Sequence, residues 1–183
     1  MADRGGWRVD SDVPEEKARW VFAAPCEGLA ELGHEIDRPH FLLKLCASPD
    51  VLMAMLPPRW RLQSQSWFMG TNAPPPAADV PTGYSVVCEG EAEVTHVRVL
   101  DSEGALAASG YAAQTADAFI YDRIRTEPEH RRRGLGRVVM ATLGRRRSDP
   151  GLPQLLTATA DGRALYTSIG WQVLAPYVTA GVA

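Results

Sequence analysis

Apolar and polar residues alternate irregularly through the first half of the chain and regularly from Tyr84 onward. The segments YSVVCEG and EVTHVRVL repeat with period two, which predicts strands, and DSEG (Asp101 to Gly104) predicts the turn after them. ALAASGYAAQT and AFIYDRIRT extend this to an antiparallel meander. Pro128 ends the last strand. From Gly134 to Leu143 the period changes, and Leu135, Val138, Val139 and Leu143 share one face of a helix. QLLTATA is a short apolar run suited to a buried strand. Asp161 stands where an N-cap would precede a short helix, GRALYTSI, closed by Gly170. WQVLAPYVTA is expected to end the chain as a strand or a hairpin.

The first half is less regular. SPDVLMAML predicts a helix with Ser48 as N-cap and Pro49 in its first turn, placing Leu52, Met55 and Leu56 on one face. RWRLQSQSWFM reads as a strand through the alternation of Trp60, Leu62 and Phe68. Residues 1 to 45 are ambiguous, apart from a helix near Gly28 to Ile36. GTNAPPPAADVPTG, Gly70 to Gly83, has four prolines and reads as a linker or long loop. It divides an N-terminal portion, 1–75, from a second portion, 82–183. No internal sequence repeat is visible. The element order predicts an α+β fold with a strand–helix–strand crossover within a largely antiparallel sheet.

At 183 residues the chain is long enough to bury a core without disulfides. Its three cysteines, Cys26, Cys46 and Cys88, are widely spaced, and no pattern suggests a metal site. No apolar run approaches the ~18–20 residues that a membrane span requires, and the N-terminus is polar and acidic, so a cytoplasmic protein is expected. A net charge of −3 argues against a general binder of nucleic acid or anionic membrane. That charge is unevenly spread. Residues 123 to 147 hold nine arginines against two acids, a local charge of +7 that leaves −10 on the rest. Arginine is the general cation here, with only Lys17 and Lys44 as lysines, so the cluster alone says little.

Chemistry concentrates where AFIYDRIRT runs into EPEHRRRGLGR. A strand, a glycine-containing turn and a helix start present unsatisfied amides and the positive end of the helix dipole, which together favour an anion. Gly134 and Gly136 lack Cβ atoms and admit a phosphate close to the backbone. No Gly-Lys-Ser/Thr follows, and Val139 breaks G-x-G-x-x-G, so nucleotide hydrolysis and dinucleotide binding are disfavoured.

RRRGLG, Arg131 to Gly136, resembles the Arg/Gln-x-x-Gly-x-Gly/Ala signature of the GCN5-related N-acetyltransferase (GNAT) superfamily. The preceding EPEHR and the later GRALYTSIGW, Gly162 to Trp171, resemble that family too. The resemblance covers about residues 84 to 183. It implies a GNAT-like mixed, mostly antiparallel twisted sheet flanked by helices, with an acetyl-CoA-binding domain over 82–183. The N-terminal portion would then be a diverged or partial GNAT-like lobe walling the acceptor site, and its acidic balance would favour a cationic acceptor. The resemblance further implies an acetyl-CoA-dependent N-acetyltransferase, with acetyl-CoA as co-substrate and no metal. Its partners would be acetyl-CoA and a small-molecule or peptide amine, leaving open whether the chain works alone or as a homodimer. The pyrophosphate would lie on the amides of Arg132, Arg133, Gly134, Leu135, Gly136 and Arg137, with Arg131 filling the signature's first position. The pantetheine arm would pair with the backbone of Ile124, Arg125 and Thr126, while QLLTATA splays away to admit the thioester. Tyr166 would protonate the leaving thiolate. Asp122 and Glu127 are candidate bases, on opposite faces by period-two counting.

Each of these residues also has a plainer role. Arg131 to Gly136 could be a solvated basic turn, and Arg145 to Arg147 suit a helix C-terminus. Tyr166 could be a packed aromatic, Asp122 the partner of Arg123 or Arg125, and Glu127 a solvated acid. His96 and His130 show no partner pattern. The tryptophans suit a core, with Trp67 open as the wall of an acceptor pocket. A non-catalytic acyl-CoA-binding sensor is the alternative function. A nucleic-acid module stands third, resting on Arg131 to Arg133 alone.

Overall fold

The computed structural model describes residues 1–74, 77–91 and 94–183. Pro75 and Pro76 of the expected linker, and Glu93 at the start of an expected strand, lie outside the described residues. The first half contains β1 (Ala2–Asp3), β2 (Gly6–Val13), β3 (Glu16–Phe22), α1 (Glu27–Glu35), β4 (Phe41–Leu45), α2 (Pro49–Ala54) and β5 (Trp60–Thr71). The second contains β6 (Tyr84–Glu91), β7 (Val94–Asp101), β8 (Leu106–Gln114), β9 (Phe119–Thr126), a 3-10 turn at Pro128–His130, α3 (Leu135–Gly144), β10 (Gln154–Ala158), α4 (Ala160–Ser168) and β11 (Gln172–Val182). The fold is α+β, with mixed, mostly antiparallel pairing and helices against the sheet.

The elements form two compact units. Unit 1 comprises residues 1–68, 158–163 and 173–183. Its strand order is β1-β2-β3-β4-β11-β5. β3 and β4 are parallel and joined through α1, while β11 runs antiparallel to β4. Trp20, Phe22, Leu29, Leu43, Leu45, Leu52, Trp60 and Val178 form its core. The C-terminal carbonyls of α1 lack partners within the helix. Arg59 supplies them, with Nε donating to Ile36 O at 2.9 Å and a terminal nitrogen to Gly33 O at 2.8 Å. The Trp60 indole N–H also donates to Gly33 O, at 2.9 Å.

Unit 2 comprises residues 69–157 and 164–172. Its strand order is β10-β9-β8-β7-β6. The four strands β6 to β9 form the expected meander, and α3 packs across β7, β8 and β9. Leu135, Val138, Val139, Met140 and Leu143 on α3 and Val97, Val99 and Ala108 on the sheet are all buried. Gly110 lets the helix approach. A Cβ there would lie 2.4 Å from Ile124 Cδ1 and 2.8 Å from Val139 Cγ1.

Most expected elements are present, with informative differences. Ser48 and Pro49 begin α2 as expected, but the helix ends at Ala54, so Met55 and Leu56 lie beyond it and are half-buried. Leu62 is 43% exposed, because β5 turns a run of side chains to solvent after Trp60. The N-cap before α4 is Thr159, whose Oγ1 accepts from Gly162 N–H at 3.3 Å. Asp161 lies one residue inside the helix, where its charge favours the positive end of the dipole. The last segment is one strand, β11.

A connectivity repeat underlies this order. Strand, helix, parallel strand, helix, strand occurs as β3-α1-β4-α2-β5 and again as β9-α3-β10-α4-β11.

Gly110→Val overfills the contact between β8 and α3. It is expected to lower stability by about 1–3 kcal/mol, read as a shift in urea midpoint with an unchanged slope.

Candidate functional site

The site lies in unit 2 and begins with a pair of strands that part. β10 pairs with β9 in parallel at Gln154↔Phe119 and Leu155↔Ile120 only. Their closed end is fastened: Phe119 N–H donates to Pro153 O at 2.9 Å, and the Tyr121 hydroxyl donates to Gln154 Oε1 at 2.7 Å. Gln154 is fully buried, and its amide nitrogen donates to Ala73 O. Beyond Ile120, β9 continues to Thr126 with no strand partner on that side among the described residues. Its free edge includes Ile124, Arg125 and Thr126, the three residues expected to pair with a pantetheine arm.

The other edge of β9 carries a bulge. Tyr111 pairs with Asp122 and Ser109 with Arg125, so Gly110 faces two residues, Arg123 and Ile124. Arg123 takes a positive φ of 51°. The extra residue resets the alternation. Asp122 and Arg125 both point away from α3, and Glu127 contacts Arg125 at 3.2 Å. Period-two counting places Asp122 and Glu127 on opposite faces; the bulge puts them on the same one. Asp122 is 59% exposed and pairs with Arg123 at 3.3 Å.

At the open end β9 leads into the glycine loop. Gly134 is the N-cap of α3, with φ of 80°. Nothing lies within 4 Å of a Cβ built on it. The amides of Arg132, Arg133, Gly134, Leu135 and Gly136 donate to no other group among the described residues. The Arg137 amide already donates to Gly134 O at 3.0 Å, closing the first turn. Five free amides at the positive end of a ten-residue helix make an anion cradle. Beside it, a Cβ on Gly136 would stand 3.8 Å from both Thr126 Oγ1 and Leu165 Cδ2, which brings α4 to the cradle.

The arginine side chains divide their work. Arg131 Nε donates back to Thr126 O at 3.3 Å, bracing the loop against the strand. Arg133 donates to the Tyr84 hydroxyl at 2.8 Å. That hydroxyl also lies 3.0 Å from His130 Nδ1, and His130 Nε2 lies 3.8 Å from Asp101 Oδ2. The four groups form one chain: Arg133 to the tyrosine oxygen, the tyrosine proton to His130, and the opposite ring nitrogen towards Asp101. Arg132 takes φ of 62° and has no partner among the described residues. Sequence reasoning missed Tyr84 and Asp101, which lie far from the loop in the chain, and Leu165, which looks like any core leucine. Arg145 donates to Thr142 Oγ1 in the last turn of α3, as suits a helix end, whereas Arg147 donates to Leu152 O in the loop before β10.

Tyr166 is 6% exposed on α4, its ring 5.9 Å from that of Trp171. Trp171 in turn stands 5.6 Å from Tyr121. The Tyr166 hydroxyl has no partner among the described residues. Burial pushes its pKa up to about 12, which keeps the proton on. His96 stacks on Tyr111 at 4.1 Å. Trp67, in unit 1, is half-buried with the Arg163 guanidinium 4.8 Å over its ring. Among the described residues no cluster of His, Cys, Asp and Glu could hold a metal, and no helix is long and apolar enough to cross a membrane.

No family model matches the sequence, and no curated relative does. Solved structures do match the fold. A GCN5-related N-acetyltransferase from Kribbella flavida is 16% identical, with TM-score 0.63, over 90% of this chain and 81% of that one. A GCN5-related N-acetyltransferase-like protein from Streptococcus suis is 12% identical, with TM-score 0.63, over 97% and 88%. A tandem GNAT protein from the clavulanic acid biosynthesis pathway is 15% identical, with TM-score 0.58, over 84% and 66%. The chain has the GNAT fold.

The Tyr84–His130–Arg133 chain predicts that Tyr84→Phe loosens the glycine loop. Hydrogen exchange at the His130 and Arg131 amides, which donate to Glu127 O and Pro128 O, should quicken, while global stability falls by about 1–3 kcal/mol, the worth of the two hydrogen bonds the hydroxyl makes.

Proposed function

We propose that the chain is an acetyl-CoA-dependent N-acetyltransferase. The observation that carries this reading is the parting of β9 and β10 directly above a cradle of unpaired amides. A thioester on a long arm ending in a pyrophosphate suits both features. The amides of residues 132–136, with the start of α3 behind them, receive the pyrophosphate, and the free edge of β9 at residues 124–126 receives the amides of the arm.

In this reading the two candidate bases take different roles. The arm starts at the loop, beside Glu127, and runs back along β9. Asp122 lies four residues before Thr126, about 13 Å along the strand, near the thioester end. Asp122 is therefore the base in this reading, and Glu127 holds Arg125. The acceptor ammonium loses a proton through Asp122, directly or by one water. Its nitrogen lone pair then attacks the thioester carbonyl, and backbone amides on the free edge of β9 stabilise the oxygen as it gains charge. The carbon–sulfur bond breaks with the electron pair on sulfur. Tyr166, still protonated, donates to that sulfur and regains a proton from the amine as the amide forms. The net products are the acetamide, free CoA and one proton.

Residues 1–75 fit a diverged lobe of the same design that has lost its cofactor site. β3 and β4 stay paired through five consecutive positions, Ala18↔Phe41 to Phe22↔Leu45, so no gap opens between them. At the matching helix start, a Cβ on Gly28 would lie 2.1 Å from Arg4 O, so backbone fills the space a phosphate would need.

Titration calorimetry with acetyl-CoA should therefore give one site per chain, and no heat at millimolar ligand would overturn the reading. Gly134→Val should abolish that heat. It forces a side chain to φ of 80° and sets it in the open space of the cradle.

Tyr166→Phe should cut kcat by about 10²-fold with KM for acetyl-CoA unchanged. The wild-type rate should not fall on the alkaline side at the tyrosine's ordinary value of 10.0, because burial holds its proton beyond that pH. An unchanged kcat in the variant would make Tyr166 a packing residue and favour the non-catalytic acyl-CoA sensor.

A further inference from the structure

The face of the unit 2 sheet turned away from α3 carries a second pocket, of about 390 Å³. It is lined by Val94, Tyr111, Ala113, Ile120, Asp122 and Arg123, together with Ala112. Register sorts these side chains into two rows. Val94, Ala113 and Ile120 are successive cross-strand partners on β7, β8 and β9 and form an apolar row. Val94 is 56% and Ile120 37% exposed, so this row is open to solvent. The next row on the same face, about 7 Å along the strands, holds His96, Tyr111 and Asp122. Arg123 joins it through the bulge, its guanidinium 5.6 Å above the Tyr111 ring and 3.3 Å from the Asp122 carboxylate.

The charged row therefore ends in one anion and one cation side by side, and the apolar row begins one step away. A ligand complementary to this pattern carries an ammonium group, a carboxylate on the neighbouring carbon and an apolar side chain extending several ångströms. We infer that the acceptor is a free α-amino acid with a large apolar side chain. This rests on the acetyltransferase reading. The ammonium faces Asp122, the carboxylate faces Arg123, and the side chain lies along Ile120, Ala113 and Val94.

The Asp122–Arg123 contact does not oppose this arrangement. Both side chains are well exposed, at 59% and 70%, and an ion pair so exposed contributes little. Opening it to admit a zwitterion exchanges one weak pair for two, inside a pocket with an apolar floor. The stack of His96 on Tyr111 at 4.1 Å fixes the aromatic surface beneath Arg123 and holds the cation at the rim. The Tyr111 ring and the apolar row bury apolar surface of the acceptor side chain, which favours a large apolar side chain over a charged one. Asp122 also lies at the thioester end of β9, so an ammonium held there is placed for attack.

The test compares L-phenylalanine with phenethylamine, which lacks only the carboxylate, and with glycine, which lacks the side chain. Release of CoA thiol gives kcat/KM for each, and calorimetry with acetyl-CoA is run alongside. Phenylalanine should exceed phenethylamine by about ten- to hundredfold, the worth of a charge-assisted hydrogen bond. Arg123→Gln should abolish that gap and leave acetyl-CoA binding intact. Ile120→Thr should lower the ratio of phenylalanine to glycine. Equal use of phenethylamine, a gap that survives in Arg123→Gln, or a preference for lysine or glutamate would overturn the inference while leaving acetyl transfer standing. If acetyl-CoA binds but no amine in the set releases thiol, the amino-acid acceptor is overturned, whereas absent acetyl-CoA binding overturns the parent reading itself.

Discussion

The short parallel pairing of β9 with β10 is the constraint from which the site follows. A parallel strand joined through a helix normally pairs along its length, since unpaired backbone amides and carbonyls cost free energy unless something else meets them. Here pairing stops after Leu155↔Ile120. The closed end is held by groups that cannot shift easily: the Tyr121 hydroxyl on fully buried Gln154, with Phe119, Tyr121 and Trp171 in successive edge-to-face contacts. Because that end is fixed, the parting beyond it is a permanent feature, and the exposed edge of β9 is a standing set of donors and acceptors. The bulge opposite Gly110 lies on the other edge of the same strand, so β9 bends where the cleft needs a wall.

Unit 1 gives the internal contrast. It has the same strand–helix–strand–helix–strand connectivity, and the corresponding strands remain zipped. The difference is local chemistry. β4 is FLLKL, with Leu43 and Leu45 fully buried, and β3 offers Trp20 and Phe22 to the same core. Apolar side chains on both strands close the gap and remain in contact along it. In β10 the buried residues Gln154, Leu156 and Ala158 include one polar anchor and one alanine, so less apolar area holds the strand to its neighbour beyond the anchor.

Much of this fold is readable in the sequence where periodicity is strong. The meander from Tyr84 to Thr126 and the amphipathic α3 follow directly from periods of two and 3.6. The glycine loop was legible too, because its chemistry is local: strand, turn, glycine and helix are contiguous. What periodicity could not supply is anything that depends on an inserted residue or a distant partner. The bulge at Arg123 inverts the face of every later residue in β9, so counting by two failed for Asp122 and Glu127. Thr159 and Asp161 are both good caps by type, and backbone geometry decides between them. Tyr84 joins His130 across 46 residues of sequence, with no local mark on either. The repeat of connectivity left no trace in sequence, because the two copies share strand order and not residue type.

α3 also divides the arginine-rich segment. Nine arginines between residues 123 and 147 suggest one large basic surface. α3 separates them into two groups. Its ten residues span about 15 Å, nearly twice the ~8 Å Debye length at physiological ionic strength. Arg145, Arg146 and Arg147 at its C-terminus are therefore screened from an anion at its N-terminus; Arg145 already bonds the last turn of the helix, and Arg147 the loop before β10. Of the three arginines at the loop, Arg131 is tied to Thr126 O and Arg133 to Tyr84. That leaves Arg132 with its side chain unengaged beside five free amides, and Arg137, in the first turn of α3, likewise has no side-chain partner among the described residues. An anion at this helix start would be held mainly by backbone, with the arginines Arg131 and Arg133 keeping that backbone in place. Such a cradle suits one pyrophosphate in one orientation, where a surface of nine free guanidinium groups would suit any polyanion.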